Sequence, residues 1–173
     1  MSLYQQQKAD KPLIENQIQQ CLTEDAQSTA LDFVTWLKDS KIKPTWSLTN
    51  QWQSNCKGKT ICIVCVDNGK WSIRLCLRNS NEYKDLAIEN KLQEFVCDKM
   101  QRCTICNHKC NSGTNSGANV VILGKELENI CYGAIYTGRN WVEFENPNAD
   151  VVEKLKQLIV WEKQSRSKIG RSN

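Results

Sequence analysis

The stretch CDKMQRCTICNHKC, from Cys97 to Cys110, sets four cysteines and the chain's only histidine within fourteen residues. A thiolate is both a nucleophile and a soft metal ligand. Two thiolates three residues apart on a tight turn can face one ion. Cys103 and Cys106 have that spacing, Cys110 follows, and Cys131 comes twenty residues further on. A C-x2-C-x3-C-x20-C set supplies the four thiolates of tetrahedral zinc, each at about 2.3 Å. The expected metal centre is therefore one structural zinc per chain, held by Cys103, Cys106, Cys110 and Cys131. His108 is the alternative fourth ligand, in place of Cys110. A second use of the same residues is redox: Cys103 and Cys106 cycling between dithiol and disulfide, with a lowered thiol pKa and no bound metal. A third is nucleic-acid binding by a zinc knuckle flanked by Lys99, Arg102 and Lys109.

Other chemistry lacks its residues. A Ser-His-Asp or Cys-His site has only His108 to draw on, inside the cysteine cluster. No phosphate-binding glycine motif opens a helix, and no H-x-E accompanies the C-x2-C pair. Four thiolates leave zinc no open position for a catalytic water. Glu126, Glu128, Glu143 and Glu145 fall where strand alternation turns them to solvent. The reading leans to a non-enzymatic protein. Cys62 and Cys65 share the C-x2-C spacing but lie in a strand, where residues three apart face opposite ways. They are expected as small core residues.

Composition narrows the class. With 173 residues, 40% hydrophobic and 24% charged, the chain is of ordinary globular make-up. The first residues, MSLYQQQKADKP, have no apolar signal region. Ten cysteines in such a chain suggest the reducing cytoplasm, where they are thiols or metal ligands. No run of apolar residues is long enough for a membrane span. Net charge is +4, of which Arg166, Lys168 and Arg171 near the C-terminus supply most. A nearly neutral body argues against a broad nucleic-acid surface. The expected partner is instead a small ligand or a protein.

The elements that must position the cluster follow from periodicity. Ile14, Ile18, Cys21 and Leu22 predict one helix. Ala30, Phe33, Val34 and Leu37 predict a second, capped at Thr23 and stopped before Pro44. WSLTNQWQ alternates as one strand from Trp46. KTICIVCV reads as a central strand, and WSIRLCLR alternates after the Asp67-Asn68-Gly69 turn, with Cys76 on its polar face. Residues 81–100 return to helical period, with Ile88, Leu92, Phe95 and Val96 on one face. Strands resume at VVILG, ICYGAIY and WVEFE. A last helix after Pro147 carries Val151, Val152, Leu155, Leu158, Ile159 and Glu162 on its stripe. The fold class is α+β: antiparallel strands, in one curved sheet or two adjoining ones, packed with amphipathic helices. The expected organisation is a single domain over 1–163, with similar halves at about 23–80 and 81–163, and a basic flexible tail over 164–173. Trp46, Trp52 and Trp71 are the candidates for the wall of a ligand cleft.

The order Lys43-Pro44-Thr45-Trp46, then Lys57-Gly58-Lys59, then a strand opening at Trp71 resembles small uncharacterised bacterial α+β proteins. That resemblance covers about a third of the chain, supports the fold class and implies no catalytic residues. The cysteine cluster resembles a degenerate zinc ribbon or treble-clef knuckle, without the second C-x2-C pair of a full ribbon.

Overall fold

The computed structural model describes residues 1–103, 117–131 and 141–169. The architecture is α+β, with two antiparallel sheets. Three helices come first: α1 (Leu3–Asp10), α2 (Ile14–Cys21) and α3 (Glu24–Asp39). Strands β1 (Pro44–Leu48), β2 (Gln51–Cys56), β3 (Lys59–Asp67) and β4 (Lys70–Cys76) follow. After a 3-10 turn at Ser80–Tyr83 come two short helices, α4 (Lys84–Glu89) and α5 (Leu92–Cys97). Then come β5 (Ala118–Ile122), β6 (Lys125–Ile130), β7 (Trp141–Glu145) and α6 (Ala149–Ile169). The larger sheet has the order β1-β2-β3-β4-β7; β5 and β6 form a hairpin of their own.

Turn chemistry sets the strand breaks. Lys57-Gly58, Asn68-Gly69 and Leu123-Gly124 each place two consecutive residues at positive φ, the mirror-image turn that suits a two-residue hairpin. The stretch from Trp46 to Gln53, expected as one strand, is itself a hairpin. Asn50 adopts φ 58, and the chain reverses at Thr49-Asn50, so that Trp46 lies directly across from Trp52. Asparagine tolerates the left-handed region, which is why the reversal needs no glycine. β3 is buried along Thr60, Cys62, Val64 and Val66, while its other face is buried at Ile61 and half-buried at Ile63 and Cys65. β4 is covered too, and Cys76 is fully buried rather than on a polar face.

The helical stretch after residue 80 is interrupted. Lys91 has φ 58 and separates α4 from α5. The break rotates the apolar face: Ala87, Leu92 and Val96 are buried, while Leu86 and Ile88 are exposed. A single continuous helix would have placed Ile88 beside Leu92.

The chain divides into two compact units. One comprises Met1–Arg74 with Phe144–Ile159; the other comprises Leu75–Glu143 and the chain from Val160 on. The division falls within β4, β7 and α6. The first unit's core is built on Ile18, Phe33, Leu37, Trp52, Ile61 and Trp71. The second unit's core includes Leu75, Leu77, Leu92, Val96, Ile122 and Ile130.

The tail expected from residue 164 is helical as far as Ile169. Arg166 is buried there, because Glu162 one turn earlier offers it a carboxylate. Among the described residues no helix is long and apolar enough to cross a membrane.

Candidate functional site

α5 ends at Cys97, and its carboxyl end feeds a three-residue strip, Gln101 to Cys103. This strip pairs antiparallel with the end of β6. Arg102 and Ile130 form the bridge, the Cys103 N–H donates to the Asn129 carbonyl at 2.7 Å, and the Cys131 N–H donates to the Gln101 carbonyl at 2.8 Å. Cys103 and Cys131 each sit one residue beyond the bridged pair. The pleat turns both to the face opposite Ile130, which is fully buried. Both cysteines are half-buried and unbridged.

Their relation is diagonal, not directly across. Diagonal neighbours on a ladder lie about 7–8 Å apart. That spacing exceeds the reach of a disulfide, whose Cα atoms stand about 4.4–6.8 Å apart. Cys106, Cys110 and His108 lie outside the described residues. Among the described residues no three His, Cys, Asp or Glu side chains come together as a ligand group.

Asn129 organises this corner, and the sequence reading passed over it. Its φ of 56 produces the irregularity in the β5–β6 register between Ala118 and Val120. Its side-chain Oδ1 accepts from the Gly117 N–H at 2.8 Å, and its Nδ2 donates to the Cys103 carbonyl at 3.2 Å. One amide therefore ties Cys103 to Gly117. Gly117 has no alternative here: a Cβ would stand 2.5 Å from the Ile130 carbonyl oxygen. An asparagine within an otherwise alternating strand was the available signal. Arg102 is exposed and its guanidinium donates to the Glu128 carbonyl. Lys99 is exposed, and Lys109 lies outside the described residues.

Of the three expected cleft tryptophans, Trp52 and Trp71 are buried in the first unit's core and Trp46 is half-buried. The Trp52 indole N–H donates to the Pro12 carbonyl at 2.9 Å. Glu126, Glu128 and Glu145 are exposed and Glu143 is half-buried. Cys62 is fully buried and Cys65 half-buried, as alternation demands.

A second cluster escaped the sequence reading because its members are scattered. Glu162 is 1% exposed. Its carboxylate accepts from Arg166 Nε and Nη2, both at 2.9 Å, from the Tyr83 hydroxyl at 2.9 Å, and from the Asn79 N–H. Arg166 also donates to the Cys76 carbonyl at 3.2 Å. The carboxylate's acceptor directions are taken up, so the cluster ties the later part of α6 to residues 76–83 and holds no group ready for proton transfer.

Three buried acids in the second unit keep their protons. Burial pushes the Cys97 thiol from about 9 up to about 11. Burial raises Cys76 as well, against the pull of Arg166 and Arg78. Tyr83 is driven well above the usual phenol range by burial and then by the Glu162 charge. Each raised value means the folded chain holds a proton that the unfolded chain releases first. For Cys97 that stability is complete below about pH 9 and falls as pH rises toward about 11. Urea unfolding midpoints should therefore drop between about pH 9 and about pH 11. Cys97→Ala should flatten part of that fall; an unchanged pH dependence in the variant would remove Cys97 as a contributor.

No protein-family model, curated protein or solved structure matches the chain.

Proposed function

We propose that Cys103, Cys106, Cys110 and Cys131 hold one structural zinc, in a cytoplasmic, non-enzymatic domain that binds a small ligand or a protein partner. The observation that carries this reading is the pairing of Gln101–Cys103 with Asn129–Cys131. It brings Cys103 and Cys131, remote in sequence, to adjoining positions of one ladder, which supports a shared ligand role. Cys106 and Cys110 enter from their spacing in the sequence, with His108 the alternative to Cys110. The donor set fits the metal: soft thiolates without an excess of carboxylate favour zinc over magnesium or calcium. All eight cysteines among the described residues are unbridged, which supports a reducing compartment.

A zinc bound there would stabilise the folded chain and tie the strip after α5 to the end of β6. The chain's own contribution is to set Cys103 and Cys131 in place before the metal arrives, through the Asn129 amide and the bridge at Arg102. Preorganised ligands cost less to order on binding.

The test is metal content. Protein purified under reducing conditions without chelator should carry one zinc per chain by native mass spectrometry and elemental analysis. Cys131→Ser should lose it, and chelation should lower the thermal midpoint of the wild type but not of the variant. Metal-free wild-type protein would end the zinc reading. Cys103 and Cys106 would then be examined as a dithiol pair, by their reactivity toward an alkylating agent at neutral pH.

A further inference from the structure

Helix α1 is attached in an unusual way. Its one buried residue is polar, Gln7. Its apolar residues do not supply the attachment, since Leu3 and Tyr4 are exposed, as is Met1 before them. An isolated helix of this length is not stable in water, so its docking decides whether it exists.

The docking is a reading of the Gln7 carboxamide. Its Nε2 donates to Asn50 Oδ1 at 2.7 Å. Its Oε1 accepts from the Asn50 backbone N–H at 2.9 Å and from the Trp46 indole N–H at 3.3 Å. Asn50 is itself held for this task. Its left-handed backbone belongs to the Thr49-Asn50 turn, and its Nδ2 donates to Asp67 Oδ1 at 2.9 Å, which leaves Oδ1 for Gln7. The site thus presents an acceptor and two donors in fixed positions. A carboxylate would place an oxygen against Asn50 Oδ1, and an aliphatic side chain would leave the Asn50 N–H and Oδ1 without partners. Only a primary carboxamide satisfies all three. Tyr4 adds a tilted ring contact with Trp46, with centroids 6.0 Å apart.

The helix also has a hinge with a defined limit. Lys11 is left-handed, with φ 44, and the next residue, Pro12, has its carbonyl held by Trp52. α1 lies wholly before this anchor, and its side-chain hydrogen bonds to the β1–β2 hairpin are those of Gln7.

We propose that Asn50 and Trp46 form a recognition site for a glutamine side chain, that α1 is a displaceable strap filling it with Gln7, and that the opened site takes the glutamine of a peptide in trans. The proposal is independent of the metal centre. Opening of the strap is a local event, below the free energy of global unfolding.

The experiment uses the full chain with Gln7→Ala, and Gln7→Glu as a second vacated form. Retained hydrogen-exchange protection in α3 shows that each is folded. The reporter is the Trp46 indole N–H resonance, assigned with Trp46→Phe. In both variants this resonance should move from its wild-type position, and α1 amides should exchange at least about tenfold faster while α3 is unchanged. A blocked peptide of residues 2–11 should return the resonance toward the wild-type position. The same peptide with Gln7→Glu should bind at least about tenfold more weakly, roughly the worth of one hydrogen bond. The proposal is overturned if the Trp46 resonance ignores the loss of Gln7, or if the two peptides act alike.

Discussion

Glu162→Ala should destabilise the protein by about 3–5 kcal/mol, the cost of removing one partner from a buried ion pair. The size follows from what remains. Arg166 would stay buried and lose the Glu162 carboxylate that it meets through Nε and Nη2. The Tyr83 hydroxyl would lose its acceptor, and the Asn79 N–H would lose its side-chain partner. Against a usual domain stability of about 5–15 kcal/mol, this loss brings the fold near its limit. Two further variants separate charge from packing. Tyr83→Phe should cost about 1.5–3 kcal/mol, the range for a hydrogen bond to a charged group. Glu162→Leu with Arg166→Met should recover most of the loss, because an apolar pair of similar volume avoids burying either charge. Urea titration at neutral pH gives all three values. If Glu162→Ala costs less than about 1 kcal/mol, the cluster is not the anchor that its geometry implies.

Trp52→Ala should cost about 3–5 kcal/mol, by removal of a buried aromatic side chain from the first unit's core. Trp52 is 1% exposed and lies across from Val64 on β3 and Trp46 on β1. Its hydrogen bond is the smaller contribution. Trp52→Phe keeps most of the apolar area and removes only the donor to the Pro12 carbonyl, so it should cost about 1–2 kcal/mol. Equal costs for the two variants would mean that the Pro12 anchor, not the core, dominates. Denaturant unfolding followed by tryptophan fluorescence and by far-ultraviolet circular dichroism makes the comparison.

The legible parts of this fold are those with local signatures. Lys57-Gly58 and Asn68-Gly69 announce their hairpins through glycine, and the doubly apolar run of β3 announces a covered strand. The turn at Thr49-Asn50 is hidden because Trp46, Leu48, Asn50 and Trp52 keep an unbroken period of two straight through it. Lys91 hides the break between α4 and α5 in the same way: lysine is a good helix former and carries no warning of a left-handed backbone. Glu162 fits the stripe of α6 by position, yet its meaning depends on Asn79 and Tyr83, which are distant in the chain. At the candidate metal centre, spacing nominates Cys103 and Cys131. The strip that joins them is three residues long, too short to carry a pattern, and the one mark of Asn129 is a lone asparagine in a strand sequence, which does not say what its amide holds.

The Asn129 amide has a consequence for engineering. It grips the Cys103 carbonyl and the Gly117 N–H together, so the intervening segment starts and finishes at a common latch. A substitution aimed at either of these two ends therefore reaches the other through Asn129, although thirteen residues of chain separate them.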